Sequence, residues 1–414
     1  MTDTCGSTFA SVIRIALATS GTNTANNNTF KNLIINGNAP GLNIPTETSV
    51  DLSRANTTYG IFAASGASTS NQTAAPTAIT GRFTSIGAGA TATNLTISNN
   101  RITSVARGTS IQGSALTVFP GLLISSNTIG NPVAGDPDGV YNTGVSASGS
   151  NNGVIRDNTI WVESYIATSQ TGIDPTATSV NTSGFTIERN RVLRVVGKNN
   201  TGAITFGISL LSGDGHIVRN NFITGIVNRP TPTIPFNPSI GAMGIWINRG
   251  AGHKIYHNTV VMSGNTPDPT GNLTAAFGFG NSSGGNSDVR NNILVNTQTQ
   301  SGAVNPGASG FVCLYVPSGR TSTFNTIFNN NDYFQGSAVN NGIAQVGQVA
   351  GTGFYTAADF DAGTTTPATN FRSISSTWFL AGTNDNASKV VDPMFVSATD
   401  FHIFAGFADD QRGC

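Results

Sequence analysis

The sequence is short of charge, and its few charges are balanced. Charged residues make up 10% of the chain, and 20 basic side chains offset 20 acidic ones. A nucleic acid or an anionic membrane surface attracts proteins with excess positive charge, so we expect neither as a partner. The sequence also lacks any apolar run of about 18 residues, so no membrane-spanning helix is expected.

Cysteine is scarce as well. The three cysteines, Cys5, Cys313 and Cys414, are widely separated, and their spacing does not match that of a zinc site. The sequence leaves their redox state open. The amino-terminal stretch has no charged leader followed by a long apolar core, so it does not predict a signal peptide.

Glycine and small polar residues are abundant instead. There are 49 glycines, and Asn, Thr and Ser fill much of the remaining chain. Hydrophobic residues still make up 38% and fall in short β-branched runs, which is not the composition of a disordered chain. This pattern predicts many short strands separated by turns.

An asparagine recurs in segments that otherwise share only their apolar pattern. Examples are LTISNNRI at Leu95–Ile102 and FTIERNRV at Phe185–Val192, with aliphatic residues three before and two after the asparagine. An earlier copy is LIINGN at Leu33–Asn38, and a looser later copy surrounds TIFNNNDYF. The recurring asparagines are Asn100, Asn127, Asn158, Asn190, Asn221, Asn258 and Asn292.

A second motif, a glycine followed by an apolar residue, alternates with the first. The apolar residue lies 13 residues before the next asparagine in four copies, at Val145, Ile208, Ile245 and Phe279. From each asparagine to the next glycine motif the spacing varies from 15 to 24 residues. One side of each repeat therefore has a constant length, and the other carries loops of variable length.

These repeats predict a solenoid. Alternating aliphatic residues form strands with one inward face, and asparagine adopts the left-handed conformation that a tight corner needs. No single unit can bury its apolar face, whereas units stacked about 4.8 Å apart form a continuous core. The asparagines of successive turns can then form a hydrogen-bonded ladder. A β-sandwich or a propeller does not explain one asparagine every 27 to 39 residues with unequal loops.

The repeat resembles the right-handed parallel β-helix of pectate lyases and many bacterial surface proteins, an all-β solenoid with three strands per turn. The resemblance implies about ten to eleven turns, with the asparagine ladder at one corner. It covers residues 1–335, within which residues 39–94 are expected to form irregular turns. Residues 336–414 are expected to form the terminal turns and closing segment of the same solenoid.

The carboxyl-terminal region is similar to the end of β-helix regions in large secreted or surface-anchored bacterial proteins. The similarity lies in GFYTAADFDAG, NDNASKVVDPMFVSATDFHI and DDQRG. It implies an extracellular or bacterial cell-surface location and a chain that is a fragment of a longer protein. Neither end shows an amphipathic capping helix, so the ends either continue into further turns or add end to end with other copies.

Active sites of β-helix enzymes lie beside the variable loops, so we expect any catalytic residues along the glycine-motif strands. Alternation points six of these residues outward in one row, and only one of them is a carboxylate. A glycoside hydrolase needs two carboxylates, and a lyase needs a base and usually calcium. The row is Ser146, Asp174, Ser209, Trp246, Gly280 and Cys313.

The candidates for catalysis are Asp174, Asp214 and Arg249. Asp136 and Asp138, in AGDPDGVYN, are the candidates for binding calcium. The same two aspartates are also typical of a turn around proline and glycine. No other cofactor is expected.

Trp246 is the candidate for ligand binding. It is predicted to point outward beside Asn248 and Arg249, and an aromatic ring next to polar side chains is typical of a sugar-binding surface. The alternative is that the proline-rich loop at residues 228–242 covers the ring.

His216 and His253 occupy the same position in consecutive repeats and could be mistaken for half of a metal site. This position is inward-facing or at the edge of a strand, since other repeats have there Leu95, Leu122, Gly153, Phe185 and Ser287. We expect the two imidazoles to stack on each other as neutral, hydrogen-bonded rings. His257, at the corner itself, is expected to be exposed.

The sequence favours an extracellular or cell-surface β-helix that acts as a structural or adhesive rod. Its partner would be a polysaccharide or a cell-surface glycan, bound through the loop-lined face. Two alternatives remain open. One is a polysaccharide lyase or glycoside hydrolase acting on an acidic polysaccharide, and the other is a subunit of an end-to-end filament.

Overall fold

The structure of the chain is a computed structural model. It describes residues 10–17, 24–37, 58–65, 91–111, 119–136, 138–164, 170–175, 183–197, 204–228, 241–266, 273–280, 285–300, 310–317, 325–338, 340–346, 353–361, 370–372 and 385–396. Cys5, Cys414 and the DDQRG segment lie outside these ranges. The described residues include no helix that is long and apolar enough to span a membrane.

The strands form three large sheets, A, B and C, which the chain visits in that order. Sheet A consists of β1 (Ala10–Leu17), β4 (Thr58–Ser65), β7 (Val105–Ile111), β10 (Val140–Ala147), β13 (Thr171–Asp174), β16 (Thr205–Leu210), β20 (Gly241–Ile247), β24 (Leu273–Phe279), β28 (Gly310–Val316), β31 (Asn341–Val346) and β32 (Phe354–Tyr355). Sheet B consists of β2 (Thr29–Lys31), β5 (Thr96–Ser98), β8 (Leu123–Ser125), β11 (Val154–Arg156), β14 (Thr186–Glu188), β17 (Ile217–Arg219), β21 (Lys254–Tyr256), β25 (Asp288–Arg290) and β29 (Ile327–Asn329).

In each turn the chain passes through sheet C after sheet B and before it enters sheet A of the next turn. It consists of β3 (Ile34–Asn36), β6 (Arg101–Thr103), β9 (Thr128–Ile129), β12 (Thr159–Glu163), β15 (Arg191–Gly197), β18 (Phe222–Thr224), β19 (Ile226–Asn228), β22 (Thr259–Met262), β26 (Ile293–Asn296), β30 (Asp332–Gln335) and β33 (Lys389–Val390). The remaining elements are the paired strands β23 (Asn265–Thr266) and β27 (Thr299–Gln300) and a 3-10 helix at Ala357–Asp359.

Strands of successive turns pair in parallel, so the predicted parallel β-helix with three strands per turn is confirmed. Among the described strands, only β31 and β32 pair antiparallel. Sheet A has ten strands that pair in parallel, and sheet C also spans ten turns because β18 and β19 both pair with β15, which agrees with the expected ten to eleven turns. In the segment predicted to be irregular, β4 joins sheet A, whereas β2 pairs directly with β5 and β3 with β6.

Aliphatic columns fill the interior of the solenoid. The residues three before and two after each asparagine point inward, as predicted, and are fully buried. At about 1.5–3 kcal/mol for each buried aliphatic side chain, these columns are the main stabilising contribution. The sheet B column is Ile97, Ile124, Ile155, Ile187, Val218, Ile255, Val289 and Phe328, and the sheet C column is Ile102, Ile129, Ile160, Val192, Ile223, Val260, Leu294 and Tyr333.

The predicted asparagine ladder is present at the corner between sheets B and C. In Asn190, for example, Nδ2 donates to Asn221 Oδ1 at 3.0 Å and to the Ile155 carbonyl at 2.9 Å. The backbone N–H of Asn190 also donates to Asn221 Oδ1, at 3.0 Å. Its own Oδ1 accepts the backbone N–H and the side-chain amide of Asn158. Each amide thus meets the hydrogen-bonding needs of a buried corner.

The ladder is longer than predicted, because Asn331 continues it from Asn292. It ends at Ser388, whose Oγ accepts the N–H of Asn331. At the other end Leu33 occupies the asparagine position and donates its N–H to Asn100 Oδ1. The earlier copy predicted at Leu33–Asn38 is therefore out of phase, and the repeat of that turn is Thr29–Asn36.

The left-handed corner residue is not the ladder asparagine but the residue before it. This corrects the expectation that the ladder asparagine itself adopts that conformation. The side-chain amide of the ladder asparagine lies along the axis of the solenoid, where it bonds to the next turn. The residue before that asparagine makes the turn, with φ between 52° and 60°. These residues are Asn32, Asn99, Ser126, Asp157, Arg189, Asn220, His257, Asn291 and Asn330.

A second left-handed column lies at the corner between sheets A and B, six residues before the ladder. Only asparagine and glycine occupy it through nine turns, because both tolerate positive φ. This column was not predicted, although the spacing is constant in the sequence. Its members are Asn27, Asn94, Gly121, Asn152, Gly184, Gly215, Gly252, Asn286 and Asn325.

A glycine column bends the strands of sheet A where two consecutive residues face the interior. A Cβ on Gly207 would lie 2.5 Å from the carbonyl oxygen of Gly244 and 2.6 Å from Cγ2 of Ile223. Similar contacts below 3.0 Å recur at each member, so the next turn approaches too closely for a side chain. The members are Gly60, Gly108, Gly144, Gly172, Gly207 and Gly244.

Replacing Gly207 by alanine is expected to lower the free energy of unfolding by about 1–3 kcal/mol, since the added methyl group overpacks a closely stacked backbone. Chemical denaturation of the purified protein measures the change. Gly252→Asn is the control, because Asn286 and Asn325 already occupy the same corner, and we expect a change within about 0.5 kcal/mol. Equal effects of the two substitutions would contradict the role of the column.

The carboxyl-terminal segments cover the last full turn with aromatic side chains. Phe360 and Phe371 join the core and pack against Tyr333, with ring centroids 6.0 and 6.4 Å from it. The buried hydroxyl of Tyr333 donates to Asp385 at 2.8 Å. The antiparallel strand β32 lies at the edge of sheet A beyond β31. An antiparallel strand and a short 3-10 helix thus cover this turn, where no amphipathic capping helix is predicted.

Candidate functional site

Two rows of side chains run along the outer face of sheet A. In the second row, Ser146 lies beside Asp174, and Ser209 lies beside Trp246, as predicted. The first row consists of the residues that precede the glycine column: Tyr59, Arg107, Thr143, Thr171, Phe206 and Met243. The second row consists of Phe62, Ser110, Ser146, Asp174, Ser209 and Trp246.

The predicted continuation of the second row is wrong. Trp246 pairs with Gly278 and not Gly280, and Gly278 pairs with Tyr315. In this turn the connection from the sheet A strand to the ladder asparagine is two residues longer than in the other turns. The constant spacing of 13 residues therefore selects Phe279, whereas the structure aligns Phe277 with Ile245. Cys313 points into the core, where burial raises the pKa of its thiol to about 12.

The middle of the outer face is polar and uncharged apart from two residues. We call Arg107, Ser110, Thr143, Ser146, Thr171 and Asp174 the polar strip. Apart from Arg107, which is half-buried, its members are at most 8% exposed. The hydroxyl of Thr143 donates to Asn142 Oδ1 at 2.8 Å.

Aromatic side chains border the polar strip at both ends. Tyr59 and Phe62 lie at one end, with ring centroids 4.7 Å apart. Burial raises the pKa of Tyr59, and the charge of Arg107 opposes that shift. An aromatic cluster lies at the other end and consists of Phe206, Met243, Trp246, Leu273, Ala275, Val312 and Tyr315.

Trp246 lies at the centre of the aromatic cluster. Its ring stacks on Tyr315 at 16°, with centroids 6.3 Å apart, although a strand separates the two residues. Gly278 on that strand permits the approach, since a Cβ there would lie 2.9 Å from Trp246 Cε3. Trp246 is 8% exposed. The alternative that residues 228–242 cover this ring concerns residues that mostly lie outside the described ranges.

Asn248 and Arg249 follow β20 at the corner between sheets A and B. Asn248 is half-buried beside Gly280, and the Arg249 side chain is exposed. The carbonyl of Arg249 is the partner of His253 Nε2 at 3.1 Å. The structure therefore places both residues near the end of the strand that carries Trp246.

The other sequence candidates do not converge with Asp174. Asp214 is exposed at the corner between sheets A and B, where its carboxylate accepts the N–H of Ala251 at 2.7 Å. Asp136 accepts the N–H of Asp138 at 2.8 Å, which is the geometry of an Asx turn. Asp138 accepts the hydroxyl of Ser104 at 2.8 Å. Within the described ranges, no three His, Cys, Asp or Glu side chains are grouped as a metal site requires.

The predicted stacking of His216 and His253 is confirmed. Both rings are fully buried and nearly parallel, at 7°, with centroids 5.2 Å apart. In each ring Nδ1 faces a backbone N–H, from Phe185 or His216, and Nε2 faces the carbonyl of Ser212 or Arg249. This pattern requires the neutral tautomer with the proton on Nε2.

Burial and hydrogen bonding explain the titration of this pair. Burial lowers the pKa of His216 to about 4, with a further contribution from the neighbouring His253. Burial likewise lowers the pKa of His253, while Asp214 opposes the shift in both rings. The pair is therefore neutral at physiological pH and holds the corner between sheets A and B.

Arg107, Tyr59 and Thr143 were missed as site residues. A signal was available, because YGIF at 59–62 and RGTS at 107–110 have the same glycine as TGVS at 143–146. Once the glycines are aligned, the residue before each one belongs to the first outer row.

Comparison with family models, with curated proteins and with solved structures finds no match to this chain. Its function must therefore be inferred from the residues of the site.

Proposed function

We propose that this protein is an extracellular or cell-surface β-helical rod that binds a glycan along the outer face of sheet A. The observation that carries the proposal is the polar strip with aromatic side chains at both ends. Hydroxyls, a carboxylate and a guanidinium supply donors and acceptors for sugar hydroxyls, and aromatic side chains supply apolar surfaces.

The dimensions of the face support an extended ligand. From β4 to β20 the face crosses six strands, which corresponds to about 24 Å along the rod. The asparagine ladder and the aliphatic columns support the strands from within. This arrangement suits a polymer that runs parallel to the rod axis.

The number and the contacts of the carboxylates favour binding over hydrolysis. In the polar strip, Asp174 is the single carboxylate, whereas a glycoside hydrolase needs two across the scissile bond. Asp136, Asp138 and Asp214 accept hydrogen bonds from neighbouring groups of the corner and loop segments. These contacts favour structural roles for the three aspartates.

Replacing Trp246 by alanine is expected to weaken glycan binding about tenfold or more, because it removes the central ring of the aromatic cluster. A glycan array followed by calorimetry on the best ligand measures the change. Trp161→Ala is the matched control, since Trp161 lies on the outer face of sheet C and is half-buried.

Asp174→Asn provides a second variant that keeps the shape of the side chain. We expect weaker binding with an unchanged near-ultraviolet circular dichroism spectrum. Unchanged affinity in both Trp246→Ala and Asp174→Asn would contradict binding on this face. Cleavage of the bound glycan would favour the lyase or hydrolase alternative.

A further inference from the structure

We propose that Arg107 binds the carboxylate of an acidic sugar on the outer face of sheet A. This inference rests on the proposed glycan binding and specifies the chemical class of the ligand. The critical observation is a partly buried guanidinium that forms no ion pair with any carboxylate of the described residues.

Arg107 differs from the other half-buried arginines of the described chain. Its Nε is buried without a hydrogen-bond partner, which is also true of Arg156 and Arg194, but Arg107 forms no ion pair with a described carboxylate. By contrast, Arg194 lies 3.2 Å from Glu163, and Arg290 contacts Asp288 at 2.5 Å. A partly buried cation without a neighbouring carboxylate is costly, so its retention is best explained by an anion that arrives from outside.

The neighbours of Arg107 provide hydrogen bonds but little competing charge. Tyr59 and Thr143 flank it within the first row, and Ser110 lies in the adjacent row. Asp174, the carboxylate of the strip, is two strands away, at about 9.6 Å along the axis. An anion at Arg107 would therefore meet a guanidinium between hydroxyl groups, in surroundings where water screens the charge weakly.

A carboxylate fits this site better than a more highly charged group. The planar guanidinium binds a planar carboxylate through two parallel hydrogen bonds. A single cation balances one negative charge, whereas a phosphate dianion would need a second cation. The side chain is half-buried, so part of it remains accessible to an incoming ligand.

The test compares uronic-acid oligosaccharides with their carboxyl-reduced counterparts, which differ only in the carboxylate. Calorimetry with the full chain is expected to show binding of the uronates at least about tenfold tighter than of the reduced sugars. Arg107→Thr should abolish that difference, and Arg107→Lys should retain part of it. Threonine is chosen because Thr143 and Thr171 occupy the same row.

Arg101→Thr is the matched control. Arg101 is exposed on sheet C, where it pairs with Thr128, so the substitution removes the same charge at a distant site. It should leave the preference for uronates intact. Preference for a sulfated neutral glycan over the uronates would overturn the assignment to a carboxylate.

Stability without ligand separates binding from a structural role. Because no carboxylate of the described residues pairs with Arg107, Arg107→Thr should leave the melting temperature unchanged or raise it. A lower melting temperature would overturn the proposal. If uronates and reduced sugars bind equally and still depend on Trp246, this inference fails while the proposed function stands. If neither binds, both fail.

Discussion

Replacing Asn190 by leucine is expected to lower the free energy of unfolding by about 3–5 kcal/mol. The substitution removes the acceptor of the backbone N–H and side-chain amide of Asn158, and it removes the donor to the Ile155 carbonyl. These groups are buried, so water does not replace the lost bonds. Leucine has the same branching and number of side-chain heavy atoms as asparagine, and it occupies this position in the first turn, at Leu33.

The measurement combines chemical denaturation with amide hydrogen exchange of the neighbouring turns. Protection should fall first in the turns of Asn158 and Asn221, because each solenoid turn contacts only its neighbours. Asn220→Gly is the control, since Asn220 is exposed at the left-handed corner position. We expect a change within about 0.5 kcal/mol there. Equal losses at Asn190 and Asn220 would show that the ladder bonds are not the cause.

Acidification should destabilise the protein through its buried histidines. His216 has a lowered pKa in the folded state, so the unfolded chain binds the proton first as the pH falls. The stability that depends on neutral His216 is fully present above pH 6.5 and is lost by about pH 4. This loss lowers the free energy of unfolding by about 3 kcal/mol. His253 acts in the same direction, since burial lowers its pKa too. Protonation would also break the bonds that Nδ1 accepts from backbone N–H groups.

Denaturation curves between pH 7 and pH 4 test this expectation. A His216→Leu/His253→Leu variant should lose most of the pH dependence in this window, with leucine chosen because Leu95 and Leu122 occupy the same column. His257→Leu, at an exposed corner, should keep it. Burial raises the pKa of Glu188, but hydrogen bonds and charges from Arg219 and Arg189 outweigh burial and lower that pKa from 4.5, so the stability it contributes is lost only as the pH falls below about 4.5. An unchanged pH dependence in the double variant would assign the effect to other groups.

The interior of the solenoid could be predicted because each turn repeats the same local pattern. Ile155, Asn158 and Ile160 occupy fixed positions relative to one another, and side-chain direction alternates along a strand. The same logic placed His216 and His253 in one column. The sequence spacing thus contains the information about which residues stack.

The predicted register between strands is wrong where the spacing between elements changes. The motif around Phe279 was aligned on its glycine, whereas the structure aligns Phe277 with Ile245. Ala276 takes the place of the column glycine in that turn, so the local signal disappears. The stacking of Tyr315 on Trp246 was therefore not predicted.

The sequence by itself determined the solenoid, its aliphatic columns and its asparagine ladder, because these depend on residues at short, constant separations. Only the tertiary structure decided that Trp246 is buried against Phe206 and Tyr315, and that Arg107 lies beside Tyr59 and Thr143 without an ion pair to any described carboxylate. These neighbours lie one or two turns apart, across loops of unequal length. Their contacts depend on the register between turns and on how far side chains lean along the axis, which local periodicity does not specify.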